Sequence, residues 1–127
     1  MSKYLVVMLG GALGAVLRFI VATFVTRLYP ATFPLGTFVI NITGSFLIGL
    51  LMTLFLNRPG LHMNWRLFLV TGILGGYTTF SSFEWESLIG LRNGAEVVSF
   101  LYIGSSVVLG LAGAWLGLSI ANRLWPH

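Results

Sequence analysis

The chain has 127 residues and a formal charge of +4, with 57% apolar and only 8% charged side chains. A soluble domain carries roughly 25% charged residues, and one this small leaves much of its surface wet, so the composition excludes an ordinary water-soluble fold. The seven cations (Lys3, Arg18, Arg27, Arg58, Arg66, Arg92 and Arg123) are scattered singly between apolar runs. This excludes a nucleic-acid-binding stripe and fits the flanks of membrane spans. The absence of cysteine excludes disulfides, thiolate metal sites and Cys nucleophiles.

Four apolar runs are long enough to cross a hydrocarbon core about 30 Å thick, which takes about 20 helical residues. The first, Tyr4 to Thr26, follows Lys3 much as a leader would. Its apolar pattern nevertheless continues past Arg18 from Phe19 to Val25 without a convincing small-residue cleavage site, so it reads as a retained span. Tyr29-Pro30 and Phe33-Pro34 mark the first connector, and the second span runs from Leu35 to Leu56. Asn57-Arg58-Pro59-Gly60 forms the next break, the third span covers Leu67 to Leu91, Arg92-Asn93-Gly94 turns the chain, and the fourth span covers Val97 to Ala121. The expectation is an all-α membrane protein of one domain, residues 1–127, with four transmembrane helices. Lys3, Arg58, Arg66 and Arg123 would share one side against Arg27 and Arg92 on the other. This modest bias leans toward cytoplasmic termini and leaves room for insertion in both orientations.

Small residues recur four apart at Gly10/Gly14, Ser45/Gly49, Ser106/Gly110 and Gly113/Gly117. Such pairs let helix backbones approach closely in lipid, within a chain or between chains. The third span is the anomaly. Gly72, Gly75 and Gly76, followed by Thr78, Thr79, Ser81 and Ser82, are poor material for a continuous helix. A broken helix would free carbonyls to bind a hard cation such as Na⁺, whereas a Gly-rich packing face is the plainer alternative.

Phe80 and Phe83 share a helix face, either as packing surface or as positive ring edges that hold an anion weakly. Asn41 offers an amide to an anion or to a neighbouring helix, and Tyr102, Ser105 and Ser106 offer hydroxyls under the same two readings. Arg18 either snorkels to the interface or lines a vestibule. Glu84 and Glu86, two apart, cannot share a helix face, and at least one is expected at the membrane interface. His62 and His127 form no helical metal motif, and neither a phosphate loop nor a catalytic triad is visible; no enzyme activity is expected.

Gly75-Gly76-Tyr77-Thr78-Thr79-Phe80-Ser81-Ser82-Phe83 with Glu86 resembles the third-span signature of the Fluc (CrcB-type) fluoride channels. Gly36-Thr37-Phe38-Val39-Ile40-Asn41 resembles that family's second-span pattern, and Gly10 to Arg18 its first-span run. The resemblance covers essentially the whole chain. It implies an antiparallel, dual-topology homodimer in the inner (plasma) membrane, with a passive fluoride-selective pathway and a structural Na⁺ at the dimer centre. Carried over by residue, Gly75 and Thr78 would give carbonyls to Na⁺, Phe80 and Phe83 would flank fluoride, and Asn41, Tyr102 and Ser106 would line its path. Arg18 and Glu86 would shape a vestibule or hold the fold. The chain departs from the family at Glu84, and at Gly110 where some members carry a further Ser. The rival expectation is a four-span proton-coupled multidrug exporter, which needs an acidic residue in a first span that here holds Arg18.

Overall fold

The computed structural model describes residues 2–126. Helix α1 spans Lys3–Leu28 and α2 spans Leu35–Asn57. A short α3, Met63–Arg66, runs into a π-helical stretch, Leu67–Leu74, and a last turn, α4, Gly75–Tyr77. Then come α5, Phe80–Arg92, and α6, Glu96–Leu124. Among the described residues there are no strands.

Local chemistry accounts for the ends. Pro30 lies just beyond α1, Pro34 just before α2, and Pro59 just beyond α2, where the missing N–H and fixed φ stop or start helices. Gly94, at φ +80°, makes the reversal between α5 and α6 that a side chain would oppose. Arg27 and Arg123 occupy the last turns of α1 and α6, and Glu96 the first turn of α6, each complementing the helix dipole.

Three helices, α1, α2 and α6, are long and apolar enough to cross a membrane. Large side chains of α1 and α6 such as Phe19, Phe24, Phe100 and Trp115 are exposed, whereas Val6, Ile40, Tyr102 and Ala121, with Leu74 of the π-helical stretch, are buried. A surface this apolar suits lipid tails and a protein partner, not water.

The helices pack in two close pairs. Helix α1 lies along the π-helical stretch and α4, and α2 lies along α6. Glycine sets both separations. A Cβ on Gly72 would stand 2.8 Å from the Gly10 Cα, and one on Gly10 would stand 2.5 Å from the Phe68 carbonyl oxygen. Across the other seam, side chains on Gly49 and Gly117 would collide with the carbonyls of Ala114 and Phe46. The small-residue pairs of the sequence therefore bring helices together within the chain, where dispersion replaces the hydrophobic effect. At one end, Asn57 Nδ2 donates to Asn122 Oδ1 at 2.9 Å and to the Trp125 carbonyl at 2.7 Å, tying α2 to α6. His127 lies outside the described residues.

Candidate functional site

Between α4 and α5 the backbone leaves the helical region. Thr78 (ψ 158°) and Thr79 (φ −149°, ψ 119°) are extended, and side chains replace the hydrogen bonds that a continuous helix would make. The Thr79 N–H, which would otherwise reach the Gly75 carbonyl, donates to Asn41 Oδ1 at 2.9 Å. The Ser82 N–H, which would otherwise reach the Thr78 carbonyl, donates to Thr79 Oγ1 at 3.2 Å as a helix cap for α5. Both carbonyls thus lose their helical donors. That of Thr78 receives only a long bond, 3.4 Å, from Arg18 Nη1.

Asn41 closes the exchange by donating from Nδ2 to the Thr79 carbonyl at 2.9 Å. A primary amide carries two hydrogens, so one N–H remains for another acceptor. Nearby, Thr43 and the Tyr77 hydroxyl stand 2.9 Å apart, a second tie between α2 and the end of α4.

A cavity of about 370 Å³ opens beside this segment. Its wall includes Asn41, Gly75, Thr78, Phe80, Phe83 and Ser106, with Ser45, Ile48 and Val107. The Ser106 hydroxyl oxygen is buried there without a hydrogen-bond partner. The Phe80 and Phe83 rings lie with centroids 5.9 Å apart and planes tilted by 38°, and Phe80 is 70% exposed. The cavity therefore lies at the surface of the single chain, with one of its aromatic walls uncovered. Among the described residues no cluster of three His, Asp or Glu side chains could hold a metal ion.

Tyr102 and Glu86 sit behind that wall. Tyr102 is buried, packs its ring 5.2 Å from that of Phe83, and donates its hydroxyl to Glu86 Oε2 at 2.8 Å. Thr37, also buried, donates to Glu86 Oε1 at 2.7 Å. Each carboxylate oxygen is thus satisfied inside the protein, while Glu84 faces outward. Phe33 continues the aromatic row, its ring 5.2 Å from Tyr102 and edge-on to it.

Comparison with known proteins identifies the family. The family model of CrcB-like proteins, described as Camphor Resistance (CrcB), matches residues 5–118. The chain belongs to the CrcB family. It is 47% identical over 121 residues to a protein of Solibacter usitatus named fluoride-specific ion channel FluC, covering 95% of this chain and 99% of that one. Identity is 47% over 122 residues to a protein of the same name from Acidobacterium capsulatum, covering 96% of this chain and 98% of that one. With the namesake from Agrobacterium fabrum it is 45%, covering 91% and 93%. Its family and its apolar helices make it a multi-pass inner-membrane protein.

Of the CrcB-type residues named from the sequence, Asn41, Gly75, Thr78, Phe80, Phe83 and Ser106 meet at one cavity. Tyr102 and Glu86 bond to each other behind it, and Arg18 reaches it through the Thr78 carbonyl. In the sequence, Thr37 and Thr79 stand only within motifs and Ser45 only in a small-residue packing pair, and none is named as a site residue. A signal for Thr37 and Ser45 was present: Thr37, Asn41 and Ser45 are spaced by four and lie along one face of α2.

Proposed function

We propose that this CrcB-family chain forms a passive, fluoride-selective channel that lets fluoride leave the cell and lowers its cytoplasmic concentration. The observation that carries the proposal is the cavity at which Asn41, Phe80, Phe83 and the unpartnered Ser106 hydroxyl converge, in a chain 47% identical to proteins named fluoride-specific ion channels. Fluoride is small and strongly hydrated, so its path must replace water with donors while holding it weakly enough to release it. The spare Asn41 N–H and the Ser106 O–H are such donors. The positive edges of Phe80 and Phe83 attract an anion without ligating it. Conduction makes and breaks no covalent bond, so no enzyme chemistry is involved.

The working unit in this proposal is an antiparallel homodimer of one four-span domain, the third span being the two half-helices on either side of Thr78 and Thr79. Uncovered Phe80 and the apolar outer faces of α1 and α6 support a second copy as the missing wall. The Gly75 and Thr78 carbonyls, released from helical bonding, suit a structural Na⁺. Two carbonyls are too few for the oxygen shell of a hard cation, and two copies about a central axis would provide four. Bound there, the ion would pin the two breaks together and contribute positive charge near the pathway.

The test is fluoride efflux from liposomes containing the purified protein, followed with a fluoride electrode beside chloride and empty-liposome controls. Rapid fluoride release with negligible chloride release is expected. No fluoride release from well-folded, reconstituted protein would overturn the proposal.

A further inference from the structure

Within the fluoride-channel reading, on which this inference rests, we propose that Ser45 supplies the donor that follows Ser106 along the ion path, in the place that Gly110 leaves without a side chain. Ser106 lines the cavity with its hydroxyl oxygen buried and unpartnered. One turn further along α6 on the same face, Gly110 has no side chain to take an anion onward. The structure places another group at that point: a Cβ added to Gly110 would stand 3.5 Å from Ser45 Oγ. The Ser45 hydroxyl thus occupies the region into which a residue at 110 would project.

Ser45 itself lines the cavity, one helical turn beyond Asn41 on α2. Ile48 and Val107, one helical turn from Ser45 and next to Ser106 in sequence, line the cavity with no polar side-chain atom, and the Thr78 and Thr79 hydroxyls in its wall already donate to the Leu74 carbonyl and to Ser82 Oγ. A dehydrated fluoride leaving Ser106 would meet hydrocarbon there unless Ser45 turned its O–H toward the ion, and an anion denied a donor in a dry site is held back by a large desolvation cost. Donors therefore alternate between helices, from Asn41 on α2 and Ser106 on α6 to Ser45 on α2.

The experiment compares initial fluoride efflux from liposomes for the unmodified protein, Ser45→Ala, and the double variant Ser45→Ala with Gly110→Ser. Alanine keeps the small packing volume and removes the hydroxyl, so a packing role alone would leave the rate unchanged. Ser45→Ala is expected to slow efflux about tenfold, the effect of one lost hydrogen bond to a charged group. The double variant, with a hydroxyl returned from α6, is expected to recover most of the rate. Ser45→Cys, close in size and a weaker donor, repeats the test if the alanine variant folds poorly, and its slowed flux is the expected result. Wild-type rates in Ser45→Ala or Ser45→Cys, or a double variant as slow as the single, would overturn the assignment of Ser45 alone. Absence of fluoride release from the unmodified protein would overturn the channel reading and this assignment with it.

Discussion

The side-chain amide of Asn41 grips the peptide of Thr79 at both ends, accepting from its N–H at 2.9 Å and donating to its carbonyl at 2.9 Å. An amide pairs in this way with extended backbone, which presents both groups of one residue on the same side. Asn41 thereby takes over the bonding that α4 and α5 would need to join. Asn41→Ala leaves the buried Thr79 N–H and carbonyl without that partner, a loss of about 1–3 kcal/mol for each unsatisfied group. We expect a lower thermal midpoint in detergent together with slower fluoride efflux. Asn41→Asp keeps the acceptor for Thr79 N–H but removes both N–H donors and adds charge that repels an anion; its flux is expected to fall further than its stability. A variant with native stability and native flux would remove Asn41 from both roles.

The Phe80 and Phe83 pair makes a separable prediction. Isoleucine has comparable bulk but no ring edge, so Phe80→Ile should preserve folding where Phe80 is exposed on the single chain. Fluoride efflux from Phe80→Ile and Phe83→Ile is expected to slow by about two- to tenfold, since an aromatic contact is worth about 0.5–1.5 kcal/mol beyond its area. Normal flux in both would take the rings out of the pathway.

How far the sequence disclosed this architecture depends on what sets each feature. The long apolar runs that became α1, α2 and α6 were legible because lipid imposes a length and a hydropathy that no other context demands. Gly10 and Gly14 were legible as contact points for a similar reason, since closely packed backbones exclude side chains. The candidate site was legible by residue type, through Asn41, Phe80, Phe83 and Ser106, but not by wiring. Nothing in the spacing says that Thr79 N–H turns to Asn41 or that Glu86 takes hydrogen bonds from Thr37 and Tyr102, because those bonds join residues far apart in the chain. The π-helical stretch Leu67–Leu74 was equally hidden, its composition being that of any apolar helix.

Glu86 is held from two helices, by Thr37 on α2 and Tyr102 on α6. Glu86→Gln replaces one acceptor oxygen with an N–H₂ that must face a hydroxyl already donating, so one of the two bonds is lost or reversed. A lower thermal midpoint is expected, corresponding to about 1–3 kcal/mol. Tyr102→Phe removes one of the two bonds while Phe keeps the stack on Phe83, and it should lower the midpoint by a similar amount, because it leaves a carboxylate oxygen without its donor. If Glu86→Gln melts at the wild-type temperature, this three-residue cluster does not hold the helices together.

If Na⁺ sits on the released carbonyls of Gly75 and Thr78, it binds the assembled protein and not its separated chains. Mass action then stabilises the assembly more as Na⁺ rises, by RT ln(1 + [Na⁺]/Kd) in the one-site case. Exchange of Na⁺ for N-methylglucamine at constant ionic strength is expected to lower the thermal midpoint and to slow efflux, and returning Na⁺ should restore both. An assembly equally stable and conductive after exhaustive exchange would leave the carbonyls without a cation.

Gly14 and Gly11 lie in the same helix and test the packing of α1 against its neighbours. A Cβ on Gly14 would run into the carbonyl oxygen of Ile73, a backbone atom that cannot rotate away, whereas one on Gly11 meets nothing within 4 Å. Both changes improve intrinsic helix propensity by about 1 kcal/mol, so propensity alone would make both variants more stable. Overpacking opposes that gain only at Gly14, where forcing the backbones apart costs about 1–3 kcal/mol or more. The Leu67–Leu74 stretch would have to move with α1, and with it the Thr78 carbonyl that Arg18 reaches from that helix. Gly14→Ala should therefore lower both the thermal midpoint and the efflux rate, while Gly11→Ala leaves the midpoint unchanged or slightly raised. Equal melting of the two variants would mean that α1 can withdraw at little cost, and that its glycines do not set the distance at which Arg18 meets the Thr78 carbonyl.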